Sequence, residues 1–408
     1  MKLTNIKLLI FFIALFIFIR SINFAEHLNF SFDQAWGSTR VLEIWKNKEV
    51  TLVGPGSSLT VRGKNLLQGS ISYYFQLPLL LLGNWDPVKS SYILMIYLGL
   101  MIFPLFYGVK LLAGRKSAFF IVLLYSLLPY FIDFTRFFFG PIYQLSLVPF
   151  IILTMGLYKK FNKWIFLFFV FILTGISLQF HYQTVIVIGL LSIYYFFKEK
   201  NKLYLFSAIF FGLFLGYLPM IVFELKNQFY NTRILLEYLQ SAKKSAGSFT
   251  LSPHRLLSIS LMLCILLIPF YKKYLTTKIL VVVGLLLFTI DLLIYVPLPS
   301  HAFGMSPNWN YLMEKKAYEI IKKENLKDFN IVNLVYDNLS VVIKYQMRKD
   351  NNFINFEDYY HNKYLFVINK DENIFSNPAY EVNTFKPHKK LKQWSLNKAY
   401  YLYLFKRI

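Results

Sequence analysis

Side chains that could accept a proton or bind an anion occur in the long polar segment between residues 25 and 87. Asp33 follows an aromatic stretch and opens an amphipathic segment that reaches Trp45, so we expect Asp33 in the first turn of a helix lying along the interface. Free backbone N–H groups and the helix dipole stabilise an anionic carboxylate at such a position. The same position is typical of an ordinary N-cap, and that interpretation stays open.

Four basic side chains are candidates to bind a phosphate at the outer face: Lys64, Arg62, Arg136 and His181. Arginine suits this task because its planar guanidinium matches two phosphate oxygens at once. Each candidate has a plainer interpretation. Lys64 and Arg62 are also typical of surface charge that meets lipid headgroups, Arg136 of a snorkelling side chain, and His181 of an interfacial turn.

Composition predicts a chain that crosses a bilayer several times. Of its 408 residues, 56% are hydrophobic and 16% charged, whereas soluble domains have about 45–50% and about 25%. The single cysteine, Cys264, excludes an intrachain disulfide and a multi-cysteine zinc site. The net charge of +23 falls largely in short connectors between apolar runs, which favours the positive-inside rule over nucleic-acid binding.

Nine apolar runs predict about nine transmembrane helices. The first contains Arg20 near its end, and we expect that side chain to snorkel towards the headgroups. The predicted spans are 8–24, 88–107, 118–131, 142–157, 164–180, 184–197, 203–223, 256–271 and 279–296.

Lysine-rich connectors fall on one side of these spans, which predicts a multi-pass protein of the cell membrane with a cytoplasmic N-terminus. The outer segments are then 25–87, 133–141, a tight bend at His181, and 224–255. Residues 1–299 form the predicted transmembrane domain, and 300–408 form a small extracytoplasmic α/β domain. Its expected helices cover 309–325 and 340–346, and its expected strands cover 329–335, 364–368 and 399–405.

Five stretches, in order along the chain, resemble the dolichyl-phosphate-mannose-protein mannosyltransferase and aminoarabinose transferase group (glycosyltransferase family 39-like) of the C-type glycosyltransferase superfold. An acid follows the first span, and the long outer loop ends in a glycine, a tyrosine pair and a proline. Three later segments at predicted outer helix ends complete the likeness. The stretches are Asp33-Gln34, Gly69–Pro78, Ser126–Arg136, Gly175–Thr184 and Phe214–Arg233.

The resemblance implies a polytopic glycosyltransferase that moves a sugar from a polyprenyl-phosphate donor to an extracytoplasmic acceptor in protein, lipid or envelope glycan. Asp33 is then the general base, since an inverting displacement needs one carboxylate. Lys64, Arg62, Arg136 and His181 are expected to hold the donor phosphate. Substrate contacts are expected from Tyr73, Tyr74, Asp133 and Glu224, although Glu224 is also typical of a plain helix boundary. No cofactor or nucleic acid is expected. The resemblance favours a metal-independent reaction, and the alternative stays open because the oligosaccharyl branch of the same superfold uses a divalent ion.

A transporter, flippase or polysaccharide-handling membrane protein is the alternative. Such a protein is expected to show internal repeats, broken helices or ionisable residues within its spans. Asp291 is the clearest acid inside a predicted span, and no repeat is evident. A membrane anchor that only presents the C-terminal domain does not account for the long first loop.

Overall fold

The computed structural model describes residues 3–242, 253–351 and 358–408, which are mostly helical. The predicted outer segment 224–255 therefore lies partly outside the described residues. The chain divides into two compact units. The helical unit comprises Met1–Ile22, Asn47–Leu79 and Ser91–Val296, and the mixed unit comprises Asn23–Lys46, Leu80–Ser90 and Pro297–Ile408.

Helices account for most of the described residues, and the strands occur in two places. The helices are α1 Leu3–Ser21, α2 Phe24–His27, α3 Phe32–Asn47, α4 Ile71–Leu82, α5 Pro87–Leu100, α6 Ile102–Ala113, α7 Arg115–Leu127, α8 Pro129–Phe134, α9 Gly140–Phe161, α10 Trp164–Phe180, α11 Thr184–Lys198, α12 Lys202–Gly216, α13 Leu218–Lys226, α14 Tyr230–Ala242, α15 Leu257–Leu266, α16 Ile268–Tyr271, α17 Thr277–Tyr295, α18 Tyr311–Glu324, α19 Val341–Lys349 and α20 Tyr380–Asn383. The strands are β1 Val53–Val61, β2 Lys64–Gly69, β3 Phe329–Asn333, β4 Tyr364–Asn369, β5 His388–Ser395 and β6 Tyr401–Arg407.

All nine predicted apolar runs are helical, but fewer of them meet the length and composition of a membrane span. Within the described residues, Pro87–Ala113, Gly140–Phe161 and Thr277–Tyr295 do so. Two bent pairs raise the number to as many as five: α12 with α13 at 67°, and α15 with Ile268–Tyr274 at 49°. A chain of three to five candidate spans is therefore established, and nine spans remain a prediction.

Glycines allow the long helices of the helical unit to approach closely. A Cβ atom on Gly216 of α12 would lie 2.3 Å from the Ile172 carbonyl oxygen of α10. One on Gly108 of α6 would lie 2.6 Å from the Ile152 carbonyl carbon of α9. Such distances exclude any side chain, so these two helix pairs pack backbone against backbone.

A β-hairpin interrupts the helices of the helical unit where the sequence predicted no strands. β1 and β2 pair antiparallel, and Val61 opposite Lys64 closes a two-residue turn. Arg62 and Gly63 form that turn with φ values of 49° and 75°. Positive φ at both central residues is the type I′ geometry that matches strand twist. The turn therefore places Arg62 and Lys64 at the tip of a hairpin whose register shifts twice further along β1.

The mixed unit is built on one four-stranded sheet with the order β3-β4-β6-β5. β3 and β4 run parallel, and β6 is antiparallel to both β4 and β5. The structure confirms the predicted helices as α18 and α19 and the predicted strands as β3, β4 and β6. The sequence missed β5, whose exposed lysines do not alternate with apolar residues.

Part of the first polar segment belongs to the mixed unit. Phe30 packs edge-on against Tyr311, with 5.6 Å between ring centroids. Glu43 of α3 accepts a 2.6 Å ion-pair contact from Arg348 of α19. The unit that begins again at Pro297, close to the predicted boundary at 300, therefore also includes α3 and its Asp33.

Candidate functional site

A basic surface pocket lies between the hairpin tip and α14 in the helical unit. Its volume is about 170 Å³, and Arg62, Lys64 and Arg233 contribute cations to its lining against a single acid, Glu237. Tyr230, Val61 and Ile234 supply the remaining wall. An excess of two positive charges in a concave site favours a small anion such as phosphate.

Glu224 supports this pocket indirectly, through hydrogen bonds to the start of α14. Its carboxylate accepts hydrogen bonds from the backbone N–H groups of Asn231 and Thr232, both at 3.0 Å, and from the Thr232 hydroxyl at 2.8 Å. These bonds satisfy N–H groups that the first turn of α14 leaves unpaired. The structure therefore gives Glu224, predicted as a substrate contact, a capping position that orients α14.

Asn231 joins α14 to the hairpin. Its side-chain oxygen accepts from the Leu67 N–H at 2.8 Å, and its side-chain nitrogen donates to the Leu67 carbonyl at 3.0 Å. The Tyr182 hydroxyl also donates to that carbonyl. Because the Asn231 side chain bonds to both backbone groups of Leu67, α14 and β2 are held together beside the pocket.

Arg62 remains available to a ligand. The Arg62 side chain is 84% exposed, and its 3.9 Å contact with Glu237 is long for an ion pair. Such an exposed pair contributes little to stability. An incoming anion can therefore replace Glu237 as the partner of Arg62 at small cost.

The face of α14 opposite to the pocket is apolar. Leu235, Leu236 and Leu239 are 43%, 54% and 53% exposed, and helix periodicity places them across α14 from the pocket residues Arg233 and Glu237. α14 therefore has one face that lines the basic pocket and one exposed apolar face, as an amphipathic interfacial helix does.

Asp33 lies in the mixed unit, inside the first turn of α3 as predicted. The contacts that start the helix come from its neighbour: Gln34 Oε1 accepts from the Ser31 hydroxyl at 2.7 Å and from the Ser31 N–H at 3.2 Å. The Asp33 side chain remains accessible, although the surrounding protein removes enough water to raise the pKa of its carboxyl. A reachable carboxylate with a raised pKa suits proton acceptance.

Arg136 and Asp133 belong to a buried polar cluster in the helical unit. Arg136 is 1% exposed, and its guanidinium carbon lies 4.4 Å from the centre of the Tyr295 ring. The Tyr295 hydroxyl donates to Asp133 at 2.8 Å. Arg136 therefore packs inside the protein and does not snorkel at its surface, and two of its nitrogens, Nε and Nη1, have no hydrogen-bond partner there.

The expectation that Arg20 snorkels is wrong. Its side chain is fully buried and donates to the Thr135 hydroxyl at 2.7 Å. It also donates to the carbonyls of Ser126 at 2.7 Å and Tyr125 at 3.1 Å. These acceptors at the ends of α7 and α8 surround the guanidinium inside the helical unit, so protein groups satisfy its donors.

Asp291, on α17, belongs to the buried polar cluster that contains Asp133, Arg136 and Arg20. This helix exposes most of its residues, but Asp291 and Tyr295, one turn apart, are buried. Neither Asp291 carboxylate oxygen has a hydrogen-bond partner. A mid-helix acid in this state marks a functional or conformational element in membrane proteins more often than a stabilising one.

His181 and the tyrosine pair occupy supporting positions. His181 caps α10 at the predicted tight bend, and its carbonyl accepts from the Gln144 amide at 2.6 Å. Tyr73 is 7% exposed on α4. The Tyr74 hydroxyl exchanges hydrogen bonds with the Thr51 backbone at 2.9 and 3.1 Å.

The structure thus groups the predicted residues in separate places. Arg62 and Lys64 share the basic pocket, Asp133 and Arg136 share the buried cluster, and Asp33 lies in the mixed unit. Sequence reasoning missed Arg233 as a pocket cation, although the stretch ending there carried part of the family resemblance. It also missed Tyr295, because a tyrosine at the end of an apolar run is typical of an interface.

Comparison with protein-family models, curated proteins and solved structures finds no significant match to this chain. In residues 3–242, 253–351 and 358–408, no group of three or more His, Cys, Asp or Glu side chains is placed to hold a metal ion. The function is therefore argued from the geometry of the sites themselves.

Proposed function

We propose that the chain is an integral membrane glycosyltransferase that moves a sugar from a polyprenyl-phosphate donor to an acceptor on the outer side of the cell membrane. The observation that carries the proposal is the basic pocket of Arg62, Lys64 and Arg233, one wall of which is α14, a helix whose opposite face exposes leucines. A phosphate attached to a long hydrocarbon needs both features. The N-terminus is cytoplasmic in this proposal, and the mixed unit is extracytoplasmic.

The reaction breaks the bond between the sugar C1 and the phosphate oxygen and forms a bond from C1 to an acceptor oxygen. Negative charge builds on the departing phosphate, which the pocket cations stabilise. The acceptor hydroxyl loses its proton to Asp33, and the bond electrons leave with the polyprenyl phosphate. The raised pKa of Asp33 favours this role because a stronger base accepts the proton more readily.

Replacement of Asp33 by Asn tests the assignment of Asp33 as the general base. Asn keeps the size and much of the helix-start propensity of Asp, so the stability of the protein is expected to change little. Sugar transfer from a polyprenyl-phosphate donor is expected to fall by about 10²–10⁴, the usual contribution of general-base catalysis. The measurement is release of polyprenyl phosphate by purified protein supplied with membrane-envelope acceptors from the host.

Glu49→Gln is the matched control, since it removes another acid from the same polar segment. Normal transfer by Asp33→Asn would remove the catalytic assignment and leave Asp33 as a residue of the helix start. Absence of transfer by the wild-type protein with every acceptor fraction would refute the proposal that the chain is a glycosyltransferase.

A transporter of anionic lipids is the second candidate, and a specific observation favours it. Arg136 and Asp291 are buried ionisable groups with unpaired polar atoms, and the α12–α13 pair bends by 67° within one apolar stretch. Broken helices and buried charges are typical of substrate paths through membranes. Lipid translocation by reconstituted protein without release of polyprenyl phosphate would select this candidate over the transferase.

A further inference from the structure

An exposed aromatic pair begins α3 in the mixed unit. Phe32 and Trp36 stack with 5.9 Å between ring centroids and 12° between ring planes. Trp36 is 55% exposed and Phe32 is 36% exposed. Burying aromatic surface is favourable, so a pair left open to this extent is available to a ligand that covers it. We call Phe32 and Trp36 the aromatic platform.

Charged side chains flank the aromatic platform on the same helix face. Asp33 precedes Trp36 by three positions and Arg40 follows it by four, and both spacings make neighbours on an α-helix. Arg40 is held by Glu43 at 3.3 Å, and Glu43 is held in turn by Arg348 at 2.6 Å. The platform therefore lies between a hydrogen-bond acceptor on one side and an anchored donor on the other.

This combination matches the chemistry of a pyranose ring. Such a ring presents C–H groups on one face, which pack on an indole, and hydroxyl groups around its rim, which bond to carboxylates and guanidinium groups. Lipid headgroups are a poorer match, because an accessible carboxylate beside the platform repels the phosphates of an anionic bilayer.

We infer that the aromatic platform binds a sugar ring, and that the acceptor of the transferase carries a glycan. The second clause rests on the proposed function, whereas the first is a binding property of the mixed unit alone. Asp33 then has two tasks in succession: it bonds a rim hydroxyl of the bound ring, and it accepts the proton of the hydroxyl that attacks the donor.

Trp45 provides a matched control on the same helix. It is 51% exposed, close to the value for Trp36. Three positions before it stands the buried Leu42, where Trp36 has Asp33. Loss of Trp45 therefore removes an equally exposed indole that lacks the flanking carboxylate.

Saturation-transfer NMR of the full-length protein tests the inference. The protein is held in a detergent without a sugar headgroup, such as an amine oxide, because a maltoside would compete for the site. The probes are the methyl glycosides of glucose, mannose, galactose, rhamnose and N-acetylglucosamine. We expect at least one glycoside to give a transfer signal that Trp36→Ala reduces about tenfold and Trp45→Ala leaves within about twofold.

Two results would overturn the inference: no signal from any of the five glycosides at millimolar concentration, or an equal loss in Trp36→Ala and Trp45→Ala. A bilayer contact would appear as strong quenching of Trp36 fluorescence by brominated lipid in nanodiscs, together with no glycoside signal. Glycoside binding in a protein that shows no sugar transfer would retain the sugar site and reject the transferase, so the two failures are distinguishable.

Discussion

The buried polar cluster and the basic pocket use arginine in opposite ways within the helical unit. Arg20 is enclosed and donates to a hydroxyl and several carbonyls, whereas Arg62 projects from a hairpin tip with 84% of its side chain exposed. For Arg20, protein acceptors replace the water that the guanidinium loses on burial. An exposed guanidinium keeps its water and is available to a ligand. Exposure thus separates the arginines that maintain the fold from those that can bind.

Loss of Arg20 should have the largest effect on stability. Arg20→Met keeps the length of the side chain but leaves the Ser126 and Tyr125 carbonyls without their donor. Each buried acceptor left without its donor costs about 1–3 kcal/mol. Denaturation of the purified protein in detergent measures the change in the free energy of unfolding.

Arg115→Met is the control for Arg20, because Arg115 is an exposed residue at the start of α7. Its loss should change the free energy of unfolding by less than about 0.5 kcal/mol. Equal effects of the two substitutions would contradict the contrast between enclosed and exposed arginines.

Loss of Arg233 should affect binding and leave the fold intact. Arg233→Gln removes one of the three pocket cations, and dodecyl phosphate binding is expected to weaken by about ten- to a hundredfold, as for the loss of a charged hydrogen bond at about 1.5–3 kcal/mol. Isothermal calorimetry of the full chain gives the dissociation constant. Lys200→Gln, which removes an exposed cation from the connector between α11 and α12, should leave it unchanged.

Inorganic phosphate, which has no hydrocarbon tail, is the comparison ligand in the same calorimetric experiment. Its affinity measures the contribution of the headgroup alone. If it binds as tightly as dodecyl phosphate, the exposed leucines of α14 contribute nothing, and the pocket is a general anion site. Unaltered dodecyl phosphate binding by Arg233→Gln would remove the pocket from the proposed function.

Glu314 should make the stability of the mixed unit depend on pH. The buried and exposed arginines of the helical unit should not have this effect, because arginine stays charged. Burial raises the pKa of Glu314 to about 8 from the ordinary 4.5. The folded state therefore holds its proton more tightly than the unfolded state. The stabilisation is complete below about pH 4.5 and is lost as pH rises through 8, by at most about 1.4 kcal/mol per pH unit.

Hydrogen exchange of peptides from α18 and β3 measures how the free energy of unfolding changes with pH, once the intrinsic pH dependence of exchange is subtracted. We call this change the slope. Glu314→Gln should flatten it while keeping the oxygen that accepts from Trp309 at 3.1 Å and Asn333 at 2.7 Å. Glu319→Gln, on the exposed face of the same helix, should leave the slope as it is. A wild-type unit that gains stability between pH 5 and 8 would contradict the burial argument.

Helix positions followed closely from the sequence where apolar runs have polar ends. Trp164–Phe180 was predicted to the residue because Lys163 precedes it and His181 follows it. β1 was missed because its Gly-Pro-Gly-Ser-Ser stretch is typical of a loop, and only pairing with β2 makes it a strand. Local pattern therefore sufficed for the apolar helices and for the apolar strands β3, β4 and β6, and it failed for β1, whose residues are typical of a loop.

Charged residues were harder to place than helices. Arg62 and Lys64 could be predicted to act together because a single residue separates them in the sequence. In the structure they lie at one turn. Neither Arg233 in the pocket nor the buried state of Arg20 follows from local pattern, since each depends on contacts with distant segments. Asp33 was placed correctly in the first turn of α3, but its inclusion in the mixed unit was not foreseen.

The two edges of the four-stranded sheet give the mixed unit protection against aggregation. β3 forms one edge, and all of its residues are buried. β5 forms the other and exposes Lys389, Lys390 and Lys392 along its length. A second chain that added a strand there would bring like charges together in successive rows. The sheet therefore cannot readily be extended by a strand of a second chain, and the unit can reach a high concentration without forming intermolecular β-structure.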